Sequence, residues 1–256
     1  MVSTDTVQRW GAGGHGIPES LHVFLDERGM GTATPRPAVD LASVDIRAPR
    51  IPADELAALP CGVDTDDLVR LRCSGGFSFI DLCKRRWPVG QVPVVDAVVL
   101  PENHDQVRAV LDAAAAKGWA VVPFGGGTTV VDGVDVTDRL TIGVAFWRMN
   151  QVHHLDPESG EVLVGPGITG PELERWLEAR GFTWGHIPQS WERATVGGYA
   201  VTRSAGQTST GYGRADATVT KLRVAAPKAD FALGKAPGTA AGPDLQEVFL
   251  GSEGAF

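Results

Sequence analysis

Three consecutive glycines follow a β-branched stretch in Pro123-Phe124-Gly125-Gly126-Gly127-Thr128-Thr129-Val130-Val131-Asp132-Gly133. A glycine run costs backbone entropy, so it belongs where the chain must take positive φ or let a ligand approach its main chain. Successive N–H groups in such a turn form a concave nest for anionic oxygens, phosphate above all. Thr128 and Thr129 add hydroxyl donors. No lysine or arginine lies between Gly118 and Asp138, whereas Asp132, Asp135 and Asp138 are acidic. A pyrophosphate here is therefore held by neutral dipoles, or by positive charge from elsewhere in the fold. The pattern GxxxxGK[ST] of a triphosphatase loop is absent. So are the dinucleotide fingerprint GxGxxG and the hydrolase elbow GxSxG. A tight turn with no ligand is the competing reading of the loop taken alone.

A second cluster runs from Gly185-His186-Ile187-Pro188 through Gln189, Ser190, Trp191, Glu192, Arg193, Ala194 and Thr195 to Val196-Gly197-Gly198-Tyr199. It continues into Thr202, Arg203, Ser204, Ala205 and Gly206. Glycine and small hydroxyl residues dominate it. Gly197-Gly198 allows close backbone approach, and a helix beginning nearby aims N–H groups at an anion. Gln189, Ser190, Thr195, Thr202 and Ser204 are neutral hydrogen-bonding groups that suit the carbonyls and ring nitrogens of a flavin. A third cluster, Gly251-Ser252-Glu253-Gly254-Ala255-Phe256, ends the sequence.

Alternating elements position these clusters. Val92–Leu100 is β-branched and apolar, as a buried strand requires. Asn103 with Gln106 three residues on resembles a capping box, Val107, Val110, Leu111 and Ala114 share one helical face, and Gly118 suits the C′ position. Strands are expected at Ala120–Pro123 and Leu140–Val144. Asp156–Gly160 is a turn, with Glu161–Val164 as a hairpin partner. A helix is expected over Pro171–Arg180 between Thr169 and Gly181, and a half-buried strand over Val219–Val224. The fold class is α+β. Residues 1–90 read as a partly irregular N-terminal extension, opened by Trp10-Gly11 and Gly13-Gly14 and punctuated by Pro35, Pro37, Pro49 and Pro52. Short helices are expected at Pro18–Arg28 and Asp54–Leu59, and Arg70–Trp87 as a surface segment. Residues 91–256 read as the compact cofactor domain.

The chain has 256 residues, enough for one or two domains with a real core. Its 43% hydrophobic and 21% charged residues are ordinary globular usage, and 32 glycines with 17 prolines imply many turns. A formal net charge of -8 makes it a poor partner for nucleic acid. No stretch approaches the ~20 apolar residues of a membrane span, and Met1–Gly14 lacks the apolar core of a signal peptide. Cys61, Cys73 and Cys83 fit no CxxC spacing, so a reduced, cytoplasmic protein is expected. No metal site is expected. Adjacent His153 and His154 face opposite sides of a strand and read as surface residues.

Five ordered blocks carry a resemblance: Pro123–Thr129, Gly185–Gln207, Thr210–Arg214, Ala240–Leu245 and Phe249–Phe256. Together they resemble the FAD-binding domain of the PCMH-type (vanillyl-alcohol oxidase) superfamily, nearest its alkyldihydroxyacetonephosphate synthase group. That resemblance implies two α+β subdomains with FAD between them. Pro123, Phe124, Gly125, Gly126, Gly127, Thr128 and Thr129 would wrap the pyrophosphate. Gln189 to Thr195 and Thr202 to Ala205 would line the ring and ribityl chain. Gly251, Ser252, Glu253, Gly254, Ala255 and Phe256 would close on the cofactor. No histidine lies between His104 and His153 to attach the ring covalently, so FAD is expected to be non-covalent.

The family continues beyond the GSEG motif into a substrate cap domain and a catalytic C-terminal segment. The resemblance therefore implies a fold truncated before the cap, with the catalytic residues outside this chain. Three functions follow. The first is ether-lipid bond formation at flavin N5 on an acyl dihydroxyacetone phosphate. The second is FAD-dependent oxidation of a 2-hydroxy acid. The third is a non-catalytic remnant whose uncovered apolar surface favours association, for instance as a homodimer. Arg203 is open to two readings, support for the phosphates or reduced flavin and a partner for an acid. His186 reads as a hydrogen-bonded structural histidine, and Glu253 as a residue that fixes its loop.

Overall fold

Strand β2, Ala97–Leu100, is the centre from which the fold is built, because Ala97, Val98 and Val99 have no exposed surface. The computed structural model describes residues 18–30, 38–234 and 240–256. Trp10-Gly11, Gly13-Gly14, Pro35 and Pro37 lie outside the described residues. A four-stranded sheet runs in the order β1-β2-β4-β3, with β1 at Gly62–Asp64, β3 at Ala120–Phe124 and β4 at Thr141–Ala145. β1 is antiparallel to β2, while β2 and β3 flank β4 in parallel.

The expected strand over Val92–Leu100 pairs regularly only from Ala97. Val92 makes a single bridge to Ile46, and Val94 and Val95 are fully buried without ladder partners. Burial thus accounts for their apolar character as fully as pairing would.

Helix α1 (Glu19–Asp26) buries none of its residues, and α2 (Ala53–Ala57) anchors Leu56 in the core. Helices α3 (Asp67–Arg72) and α4 (Phe79–Arg86) overturn the expectation of a surface segment over Arg70–Trp87. Arg70, Leu71, Cys73, Phe77, Asp81 and Arg85 are all buried. Arg70, 0% exposed, donates to Val95 O, Arg47 O and Asp67 Oδ1, so each of its three nitrogens has an acceptor inside the fold. Sequence charge alone does not distinguish a solvated arginine from one that collects three acceptors.

Helix α5 (His104–Lys117) follows its sequence signals closely. Asn103 caps it by accepting from Gln106 N at 2.9 Å. Gln106 Oε1 reaches back one residue further than in a standard capping box, to Glu102 N at 2.7 Å. Gly118 ends the helix at φ 69°. A buried ion pair ties the sheet to the preceding segment. Asp96, with no exposed surface, accepts from Arg50 Nε and Nη2 at 2.8 Å each and from Thr141 N at 2.8 Å.

The second lobe holds two antiparallel hairpins. One joins β5 (Val152–Asp156) to β6 (Glu161–Val164). The other joins β7 (Lys221–Ala226) to β8 (Ala229–Gly234). Helix α6 (Gly170–Glu178) is capped by Thr169 and Glu172 as its sequence implies, and Leu173 and Leu177 sit in a core with Ile168. Short helices α7 (Val196–Thr202), α8 (Ser209–Tyr212), α9 (Ala215–Thr218) and α10 (Gln246–Phe249) complete it. His153 and His154 are both exposed because a bulge between Val152 and His154 breaks the alternation.

Candidate functional site

The glycine loop leaves β3 directly and crosses to the second lobe. A β-carbon on Gly125 would lie 2.4 Å from Thr195 Oγ1, and one on Gly126 would lie 2.2 Å from the Arg193 carbonyl oxygen. Gly127 has φ 66°, and a β-carbon there would meet the Phe124 ring. All three glycines are therefore required by contacts within the protein. Glycine was expected for a ligand's approach, yet the second cluster occupies that space.

What the loop leaves free is its donors. Among the described residues, no turn or loop hydrogen bond uses the N–H of Gly125, Gly126, Gly127 or Thr128. The loop is fastened through carbonyls instead. Trp147 Nε1 donates to Gly125 O at 2.9 Å, and Phe77 N donates to Thr129 O at 2.8 Å. Peptide planarity then turns the Gly126 N–H away from Trp147, since the peptide is trans.

Those donors open into a cleft between the lobes. Its lining includes Pro123, Phe124, Gly125, Gly126, Gly127, Thr128 and Thr129 from the first cluster. From the second come Ser190, Ala194, Thr195, Thr202 and Ser204, and from the third Glu253. Gly198, marked in the sequence for close backbone approach, also lines it, as do Gly133, Val134, Tyr199 and Val201, to which the sequence assigned no role. The volume enclosed is about 80 Å³. Small-molecule pockets typically reach about 300–1,000 Å³, so the enclosed part has room for no more than a small group.

Thr195 caps α7, accepting from Gly198 N at 3.3 Å, while Thr202 Oγ1 donates to Gly198 O at 2.9 Å. Gly197 is needed for Pro166, whose Cβ would lie 2.7 Å from a new β-carbon, whereas Gly198 faces the cleft with little around it.

Other expected residues lie outside this lining. Gln189, Glu192 and Ala205 are exposed, and Trp191 packs across Gly170. Arg193 rests on the Phe77 ring, its cation 5.0 Å from the centroid. Arg203 takes the second of its two readings. Its guanidinium pairs with Asp216 at 3.1 Å and Glu247 at 2.8 Å and donates to Leu250 O, so it clamps α7 to the C-terminal segment. Gly251 lies against that arginine, and Gly254 against Pro123, while Ser252 is half-buried and Ala255 and Phe256 are exposed. Glu253, at φ 55°, donates its N–H to Val201 O, and burial raises its carboxyl pKa.

His186 and Tyr199 are each 1% exposed. Among the described residues neither imidazole nitrogen nor the phenol has a hydrogen-bond partner, unlike the hydrogen-bonded histidine expected. Their rings pack edge-on at 4.8 Å, with Trp184 5.1 Å from His186. Burial lowers the His186 pKa and raises that of Tyr199, so both are neutral.

This fold and cleft are those of an FAD-binding protein. Residues 95–231, more than half of the chain, match the FAD binding domain family, and the chain belongs to it. Alkyldihydroxyacetonephosphate synthase of Trypanosoma brucei brucei is 36% identical over 198 residues, 75% of this chain and 32% of that protein. A solved structure of alkyldihydroxyacetonephosphate synthase superposes with a TM-score of 0.81 at 29% identity, over 92% of this chain and 45% of that one. Glycolate oxidase subunit GlcD of Bacillus subtilis is 31% identical over 163 residues, 63% of this chain and 34% of that protein. The chain spans about a third of the length of these curated relatives. Free amides at one end of the cleft and small hydroxyl residues at the other fit FAD. No helix among the described residues is long and apolar enough to cross a membrane.

Proposed function

We propose that residues 91–256 form a cofactor domain that binds FAD without a covalent link, in a protein that makes ether lipids as alkyldihydroxyacetonephosphate synthase does. The diphosphate lies on the amides of Gly125–Thr128. Ser190, Ala194, Thr195, Thr202, Ser204 and Glu253 would hold the ribityl chain and ring. The observation that carries this reading is the continuous cleft joining uncommitted loop amides to that second cluster. Bound flavin supplies an electrophilic ring nitrogen and a reversible two-electron store.

The chain's own residues bind and orient. Trp147 and Phe77 hold the loop carbonyls, which presents the N–H groups to an anion without reorganisation. Thr195 fixes the start of α7 against Gly125. Arg203 holds the 246–256 segment over the cleft through Glu247 and Leu250.

Similarity to the glycolate oxidase subunit supports a second reading, oxidation of a 2-hydroxy acid on the same domain. Two measurements test the proposal. FAD titration of the purified chain should quench flavin fluorescence; absence of quenching overturns the site. Turnover of an acyl dihydroxyacetone phosphate with a fatty alcohol selects the first chemistry, and bleaching of the flavin by a 2-hydroxy acid selects the second.

A further inference from the structure

Helix α7 supplies Gly198, Val201 and Thr202 to one wall of the cleft and is anchored by its two buried residues, Tyr199 and Ala200. The Tyr199 ring packs against His186 at 4.8 Å and Trp184 at 5.8 Å, and His186 lies 5.1 Å from Trp184. Three rings therefore close on one another where α7 is seated. The phenol oxygen stands over the start of α6, 2.8 Å from where a β-carbon on Gly170 would lie. His186 and Tyr199 are each 1% exposed, so water reaches the imidazole only when α7 moves off this seat.

The seat holds no charge. Among the described residues no acceptor reaches either imidazole nitrogen. The titratable group that faces His186 from α7 is Tyr199, a phenol that burial keeps neutral. On α6, Glu174 accepts from Trp184 N at 3.2 Å and from Thr183 Oγ1. On α9, Asp216 is taken by Arg203 at 3.1 Å and by Arg214 at 2.7 Å. On α8, Tyr212 packs over Gly185. Burial is the one influence on the His186 pKa, and it lowers it. An imidazolium in this seat would lack both water and a carboxylate, and the neighbouring rings offset only part of that cost.

We propose that His186 is a positioning residue for the cleft wall: its neutral imidazole keeps α7 seated through Tyr199, and a proton taken up in acid unseats the helix. This role does not depend on what the cleft binds. The folded site favours the neutral form, so the stabilisation is complete above the unfolded histidine value near ~6.5 and is lost as pH falls toward the lower folded value. Carboxylates titrate at lower pH, which separates this window from theirs.

Hydrogen exchange read by mass spectrometry on the full chain without flavin tests the role. Corrected for intrinsic exchange, protection of residues 198–204 should fall roughly five- to tenfold from about pH 7 to about pH 5.5, as one proton taken up on opening requires. Strand β4, buried throughout, should keep its protection over the same range. His186→Phe and His186→Gln carry no charge at any pH and should abolish the fall; if one does not fold, the other decides. Tyr199→Phe keeps the ring and should keep the fall. A parent whose α7 protection ignores pH, a fall that persists in a folded His186 variant, a fall lost in Tyr199→Phe, or an equal fall in β4 overturns the role of His186. FAD titration at neutral pH is a separate arm: failure to bind refutes the flavin reading, while the exchange result alone decides the role of His186.

Discussion

Gly125 and Thr195 stand so close that a β-carbon on the glycine would fall 2.4 Å from Thr195 Oγ1. The contact joins the end of β3 to the cap of α7, and so joins the two walls of the cleft. The same hydroxyl accepts from Gly198 N, so one side chain both caps the helix and receives the loop.

Gly126 and Gly198 separate packing from binding. Gly126→Ala forces a β-carbon against the Arg193 carbonyl and Ala194 Cα, backbone atoms with little room to yield. It should cost about 1–3 kcal/mol of stability and weaken FAD at least about tenfold. Gly198→Ala meets only Thr195 Oγ1 at 3.4 Å, but its β-carbon enters the cleft. It should leave the melting temperature unchanged or raised, since alanine favours the helix, while still weakening FAD. Thermal melts with flavin titration check both. Equal affinity of Gly198→Ala and the parent removes Gly198 from the binding surface.

Asp96 should control acid stability. Burial alone would raise its pKa, but Arg50 and two backbone N–H groups overcome that and hold it below the usual carboxylate range. The stability this contributes is complete above its unfolded value near ~3.9 and is lost as pH falls through the lower folded value. Asp96→Asn should cost roughly 3 kcal/mol at neutral pH, because Arg50 loses its buried partner. The gap from the parent should close in acid. Urea unfolding across pH measures it, and a gap that stays constant to the lowest pH counts against the ion pair.

The flavin should be released by acid. Precipitation of the FAD-loaded chain in acid should leave all yellow colour in the supernatant. Flavin carried down with the protein would instead show a covalent link.

Cys73 should be inert in the folded chain. It has no exposed surface, and burial pushes its thiol pKa up to about 12. A thiol-alkylating reagent at mildly alkaline pH should modify it only after unfolding, as mass spectrometry of the peptides would show. Rapid labelling of native protein at Cys73 would mean that the segment after α3 opens.

Local signals were legible wherever the determining contact is a few residues away. Asn103 and Gly118 bracket α5, Thr169 starts α6, and Gly160 closes the hairpin between β5 and β6, because caps and turns are short-range chemistry. The glycine loop was legible as an exceptional main-chain segment, and it lines one cleft with part of the second cluster. Not legible were the buried helices α3 and α4, strand β1, and the pairing of Arg203 with Asp216 and Glu247. Each depends on a partner distant in the chain.

The sequence by itself therefore determined the α+β alternation, the three glycine- and hydroxyl-rich clusters and their family, since these reside in local propensity and in ordered motifs. Only the tertiary structure decided why the glycines are glycines, which loop donors remain free, and which acids Arg203 pairs with. Steric exclusion, hydrogen-bond satisfaction and charge all act across space between segments that lie far apart along the chain.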